Sequence, residues 1–317
     1  MTRHFQILVS ENMPSNLPAN TLIINEFSKI QNLLGQEFEI ILFDARKGIH
    51  LEALAIAAGT LKMNGTLIVL LSNWEKLHSQ IDEDSLRWSG SLESITTPRF
   101  MTYFKHCIHK YGFPVLYHQN DLKFDRTFQQ SFVNHNATLD QQKIIEQILQ
   151  KESELYFLTA KRGRGKSALA GLLASQLDTK IYLTAPNKSA VNILAEFSQK
   201  EIIFIAPDAL FLALQNDPSF SENAWLFVDE AAMLPIAQLS AFSQHFKHIL
   251  FTTTIHSYEG TGRGFELKFK QKINRTFSDF ELIEPLRWSK DDVLEAFIDE
   301  LLLLNVEFLN KTSNSTL

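Results

Sequence analysis

The 317-residue sequence predicts an α/β fold in two domains, each a mainly parallel sheet covered by helices. Three observations predict it. Apolar runs of strand length alternate with helical patterns in two separate blocks. The length suits two domains of ordinary size, each able to bury its own core. Residues 155–167, LYFLTAKRGRGKS, run from an apolar strand into a glycine-rich loop and straight into a helical pattern.

The first block, residues 1–130, reads as a Rossmann-like α/β module. Strands are expected at 5–9, 21–24, 38–43 and 66–71, with helices near 27–34 and over 50–62. None of these strands is followed by a glycine-rich fingerprint. Asp44 and Arg46 stand at a strand end, where such sheets often bind ligands, but a structural ion pair is the more frequent use of that pattern. Residues 98–111 predict an amphipathic helix carrying Arg99, Lys105, His106, His109 and Lys110. These basic residues offer a local surface for RNA, and a plain solvated helix face explains them equally well. Residues 119–136 read as the connection between the blocks.

The second block, residues 131–307, begins with a helix over 140–149 that leads into the glycine-loop strand. Strands follow at 181–185, 202–206, 225–228 and 249–254, alternating with helices at 189–198, 208–214 and 236–245. Residues 276–282 are expected to be extended, and 291–304 to form an apolar helix closing this block. Residues 308–317 form a polar tail, expected to be disordered.

Composition narrows the function classes. The single cysteine, Cys107, allows no intrachain disulfide, reads as a packed apolar residue, and fits a cytoplasmic location. No run approaches the ~20 apolar residues that span a bilayer, and residues 1–5 show no signal-peptide pattern, so no membrane partner is expected. The net charge of −6 does not favour a polynucleotide globally, so any nucleic-acid contact must use a local basic surface.

The chemistry concentrates around the glycine loop. Backbone N–H groups of Gly163, Arg164 and Gly165 and the N-terminus of the helix after them would cradle a triphosphate. Lys166 would supply a full positive charge and Ser167 a hydroxyl for Mg²⁺. Ala160 stands where the usual pattern has its first glycine, a small departure that negative φ tolerates. Residues 225–230, WLFVDE, read as a buried strand delivering two acids. Asp229 would hold Mg²⁺, and Glu230 would orient and deprotonate an attacking water. The amide of Gln141 can match an adenine edge, with Gln142 the competing choice. Residues 252–254, TTT, end a strand with hydroxyls that could relay from a γ-phosphate, or simply reflect β-propensity. Residues 258–264 form a glycine-rich loop with Glu259 and Arg263. Arg263 and Arg287 are both candidates for an arginine finger.

Several runs together resemble the bacterial tRNA(Met) cytidine acetyltransferase family: RGRGKSALAG (162–171), FIAPDAL (204–210), VDEAA (228–232), YEGTGRGF (258–265) and PLRW (285–288). FDAR (43–46), GTLK (59–62) and DSLRWS (84–89) resemble the family's N-terminal module. The resemblance implies that module followed by a RecD-type, superfamily-one helicase-like ATPase using ATP and Mg²⁺. It implies ATP contacts at Gln141, at Gly163, Arg164, Gly165, Lys166, Ser167, Ala168, Leu169, Ala170, Gly171 and Leu172, and at Arg287, which it favours over Arg263 as the finger. It further implies elongator tRNA(Met) as partner and N4-acetylation of its wobble cytidine from acetyl-CoA. No GNAT acetyltransferase segment follows residue 307. Acetyl transfer by this chain alone is therefore not expected, and acetyl-CoA would bind a missing domain or a separate acetyltransferase chain. The alternative function is an incomplete nucleotide- or tRNA-binding module; a DNA helicase is disfavoured because only one ATPase core is evident.

Overall fold

A computed structural model describes residues 3–33, 36–124, 136–150, 152–161, 163–186, 188–254, 268–286 and 288–304. Arg287, the expected loop carrying Glu259 and Arg263, and the expected tail lie outside the described residues, as does most of the expected connection.

The chain divides into two units. In the first, β1 (His4–Val9), β2 (Thr21–Ile24), β3 (Phe38–Asp44), α1 (Leu51–Thr60) and β4 (Leu61–Leu71) follow in order. The small pair β5 (Ile81–Asp82) and β6 (Ile95–Thr96), then α2 (Pro98–Lys110) and β7 (Val115–Leu116), come next. The five-stranded sheet has the order β2-β3-β4-β1-β7, and every pairing is parallel. Its central strands read as unbroken apolar runs because both faces are covered, so Ile40–Phe43 and Leu67–Leu71 are all buried.

Two local expectations shift. The helix expected over 27–34 is a single 3-10 turn, Ile30–Leu33. The helix expected to reach residue 62 ends at Thr60, because Leu61 already pairs with Phe38 in β4. The register then slips before Ile40 meets Thr66, at Asn64 with φ 62° and at Gly65, where a Cβ would lie 2.8 Å from the Glu39 carbonyl oxygen. A helix-to-strand join without a loop leaves no turn signal to read.

A larger correction concerns the last helix, α8 (Val293–Leu301), expected at the end of the second block. It belongs to the first unit. Its buried face, Leu294, Phe297, Ile298 and Leu301, is completed by aromatic contacts: Phe297 lies 5.1 Å from both Phe5 and Phe113. Asp292 caps the helix by accepting from Glu295 N at 2.8 Å and forms a buried ion pair with Arg3 at 2.7 Å. Two basic residues of α2 act within this unit: Lys110 bonds Glu300 at 2.6 Å, and Lys105 donates to the Trp74 carbonyl at 3.1 Å. Cys107 is fully buried in the same helix, and burial pushes its thiol pKa up.

The second unit contains α3 (Leu139–Leu149), β8 (Leu155–Ala160), α4 (Lys166–Gln176), β9 (Lys180–Thr184), α5 (Ser189–Ser198), β10 (Ile203–Phe204) and α6 (Pro207–Asn216). After them come β11 (Ala224–Val228), α7 (Ile236–His245), β12 (His248–Thr254) and β13 (Phe277–Leu282). Its six-stranded sheet runs β10-β9-β11-β12-β8-β13, again parallel throughout. Alternate strand residues feed two cores. Tyr156 and Leu158 pack with Ile144, Leu169, Leu173 and Leu194, whereas Phe157, Leu226 and Phe251 pack with Leu210, Leu239 and Phe242. Gly171 lets α4 and α5 approach closely, since a Cβ there would meet the Leu194 carbonyl at 2.7 Å. The strand expected over 202–206 shrinks to the two residues of edge strand β10, and the extended stretch at 276–282 becomes the opposite edge, β13. Among the described residues, no helix is long and apolar enough to cross a membrane.

Candidate functional site

In the second unit the parallel sheet brings the C-terminal ends of β8, β12 and β11 side by side, and Lys166, Asp229, Glu230, Thr252 and Thr254 gather there. β8 delivers the glycine loop. Ala160 is the last residue of the strand and takes extended backbone that any residue adopts. Gly163 (φ 76°) and Gly165 (φ 83°) adopt the left-handed conformation, which turns the chain into the first turn of α4. The loop is braced from outside: Leu286 N donates to the Gly163 carbonyl at 3.0 Å, and the Trp288 indole lies where a Cβ on Gly163 would meet it at 2.7 Å. Leu286 and Trp288 touch the loop without having been assigned to it from the sequence; their signal was the run flanking Arg287.

Lys166 and Ser167 open α4, with Lys166 buried and Ser167 half-buried. Arg164 is buried in the loop. Side chains of Leu169 and Ala170 face the core, while Leu172 is half-buried. In this segment only the first residues of the helix can present backbone N–H groups to an anion, since later ones are bonded within the helix.

Gln141 is buried and its amide is already engaged. Its Oε1 accepts from Thr138 N at 3.0 Å, completing a capping box at the start of α3, and its Nε2 donates to the Gly165 carbonyl at 3.2 Å. The geometry thus joins Gln141 to the glycine loop. Gln142 donates instead to Ala137 O at 3.2 Å on the exposed side.

β11 ends at Val228, and the Asp229 N–H donates to the Thr184 carbonyl at 2.9 Å, continuing the ladder. Glu230 adopts φ 48°, ψ 49°, a left-handed conformation that costs a non-glycine residue about 1–2 kcal/mol. That reversal aims its carboxylate at the end of β12. Oε2 accepts from Thr254 N at 3.1 Å, and Oε1 accepts from the Thr254 hydroxyl at 2.6 Å. Lys166 Nζ donates to the same Thr254 hydroxyl at 2.8 Å and stands 3.7 Å from Glu230 Oε1. The Thr252 hydroxyl donates to Asp229 Oδ1, and Thr253 Oγ1 accepts from Ala232 N at 3.0 Å. All three threonines of the 252–254 run therefore bond to the segment 229–232 that follows β11.

Burial pushes the Asp229 carboxyl up to about 6, and the adjacent Glu230 charge adds to the rise; the Thr252 bond and Lys166 oppose it. A carboxyl in that condition gains from a nearby cation. Asp229 and the Ser167 hydroxyl are hard oxygen donors suited to Mg²⁺, which is usually held by one or two protein oxygens with phosphates and water completing its shell. No cluster of three or more His, Cys, Asp or Glu side chains able to hold a metal occurs among the described residues.

Comparison with known proteins covers both units. Residues 5–119 match the family model described as tRNA(Met) cytidine acetyltransferase TmcA, N-terminal, and residues 157–305 match RNA cytidine acetyltransferase NAT10/TcmA, helicase domain. A tRNA(Met) cytidine acetyltransferase TmcA of Haemophilus influenzae is 60% identical over 310 residues, covering 96% of this chain and 47% of that protein. Its counterpart in Haemophilus ducreyi is 39% identical over 318 residues, covering 98% and 52%. The chain thus spans about half the length of these relatives. Among solved structures, the Pif1 helicase of Candida albicans matches with TM-score 0.35 and 18% identity over 52% of this chain and 42% of that one, a likeness too loose to carry an argument.

Proposed function

Because the chain belongs to the tRNA(Met) cytidine acetyltransferase family, of which it carries the N-terminal and helicase domains, we propose that its second unit is an Mg²⁺-dependent ATPase. One observation carries this reading: Lys166, which follows β8 and the glycine loop, meets Asp229 and Glu230, which follow β11, beside a loop with two left-handed glycines.

The loop amides and the N-terminus of α4 hold the phosphates of ATP, and Lys166 offsets their charge. Ser167 and Asp229 hold Mg²⁺. When bound, that ion neutralises charge on the phosphate oxygens. Glu230 orients the attacking water and takes its proton at a carboxylate oxygen. Gln141 steadies the loop through Gly165 and contacts the nucleotide from that position. Arg287, in the chain between two residues that brace the loop, stabilises charge in the transition state. Hydrolysis remodels elongator tRNA(Met) in the cytoplasm so that the wobble cytidine reaches an acetyl donor bound on another domain or chain.

The test is ATP turnover with and without tRNA(Met), in the wild type and in Lys166→Ala. Stimulated turnover that falls on the order of 100-fold or more in the variant is expected. Nucleotide binding without turnover in the wild type would leave only a binding module, and retained turnover in Lys166→Ala would remove the assignment of the loop.

A further inference from the structure

We propose that Thr254 is the positioning residue of this site, fixing the Glu230 carboxylate for reaction and holding it apart from Lys166. The proposal rests on the ATPase reading above and adds a residue to it.

Hydrogen-bond direction sets the role of each group. An ammonium only donates and a carboxylate only accepts, whereas a hydroxyl has one proton and two lone pairs. At Thr254 the hydroxyl accepts from Lys166 Nζ at 2.8 Å, so its own proton goes to Glu230 Oε1 at 2.6 Å. The backbone N–H of the same residue donates to Glu230 Oε2 at 3.1 Å. One residue thus grips both carboxylate oxygens and fixes the plane of the group. No other hydroxyl of the run is placed to do this, since Thr252 bonds Asp229 and Thr253 bonds Ala232 N.

The grip answers a local need. Glu230 has a strained backbone and a carboxylate 3.7 Å from a lysine ammonium. Direct pairing would draw the acid onto the lysine and away from a water. The intervening hydroxyl bonds both groups and stands between them.

The experiment compares Thr254→Val, Thr254→Ala and Thr254→Ser with Thr253→Val, in steady-state ATP hydrolysis with melting curves for every variant. Valine keeps the shape and the backbone N–H; serine keeps the hydroxyl. The expected result is a kcat lower by roughly 10- to 100-fold in the valine and alanine variants, with KM changed less than about threefold. Serine should restore kcat to within about threefold of wild type, and Thr253→Val should stay within that range. Should valine fail to fold, alanine carries the same comparison with serine. Wild-type kcat in a folded hydroxyl-free variant overturns the proposal and leaves the ATPase reading standing. So does a fall as large in serine, or in Thr253→Val, which would mark a packing effect. A wild type that does not hydrolyse ATP removes both.

Discussion

Each unit ends a buried parallel strand in an aspartate, and the two carboxylates meet opposite fates. Asp44 closes β3 in the run FDAR; Asp229 follows β11 in the run VDEA. Two residues beyond Asp44, Arg46 folds back and forks onto it, Nε to Oδ1 at 2.9 Å and Nη2 to Oδ2 at 2.7 Å. Burial pulls the Asp44 pKa up, but the Arg46 bonds and charge outweigh it and hold the carboxyl below its usual value. Beyond Asp229 the chain supplies a second acid instead, and burial with that neighbour raises the carboxyl to about 6. The topological position is the same. The residues next along decide whether the acid is neutralised at home or left with a raised pKa, and the raised acid is the candidate for chemistry.

The largest effect is expected from Asp229→Asn. ATP turnover should fall on the order of 100- to 1000-fold while the fold becomes more stable. The sign follows from linkage. The folded carboxyl titrates near 6, above its ordinary 3.8. The stability that the protonated acid contributes is therefore fully present below the ordinary value and lost as pH rises through about 6. At pH 7.5 the metal-free wild type should carry a penalty of roughly 2–3 kcal/mol that the asparagine variant lacks. Urea unfolding in chelator at pH 5 and pH 7.5 measures it. A stability gap between the two proteins that fails to widen with pH would contradict the assignment of Asp229 as a buried, cation-seeking acid.

The same comparison explains what could be read in advance. Both parallel sheets were legible because a strand covered on both faces is an unbroken apolar run. The turn of the glycine loop into α4 and the position of the acids at 229 and 230 after a strand were legible because both are local patterns of neighbouring residues. Long-range partners were not. Nothing in the sequence says that α8 packs on Phe5 and Phe113, because an apolar helix face announces burial without naming what buries it. The amide of Gln141 suits a base edge as well as a loop carbonyl, and only coordinates show it on Gly165. The threonines at 252–254 satisfy β-propensity whether or not their hydroxyls have work, so their three separate partners needed the fold.

A second variant tests whether the raised acid matters only in company with the loop. Gly165→Ala places a Cβ 2.3 Å from Leu286 Cδ1 and 2.8 Å from Gln141 Nε2 on a backbone with φ 83°. ATP affinity should weaken about tenfold or more, with a stability loss of about 1–2 kcal/mol. Equilibrium binding and melting curves separate the two. Unchanged affinity would mean that the loop is not the anion cradle.

The smallest effect is expected from the neutralised acid. Asp44→Asn removes the charge that Arg46 grips but keeps an oxygen to accept one of its bonds. The arginine is about a quarter exposed, so water can replace part of what is lost. The cost should be about 1 kcal/mol, read as a shift in the urea midpoint at neutral pH. The pH dependence should be the mirror of that at Asp229. Because Asp44 is held below 3.8, its contribution is present above that value and lost as pH falls through the lower folded one. The variant should therefore approach the wild type in stability as the solution is acidified below about 4, whereas Asp229→Asn diverges from it as the solution is made less acidic. ATP turnover should not move. Lower turnover in Asp44→Asn at unchanged stability would place that strand end in the chemistry after all, and the arginine two residues on would no longer explain why one aspartate is quiet and the other is not.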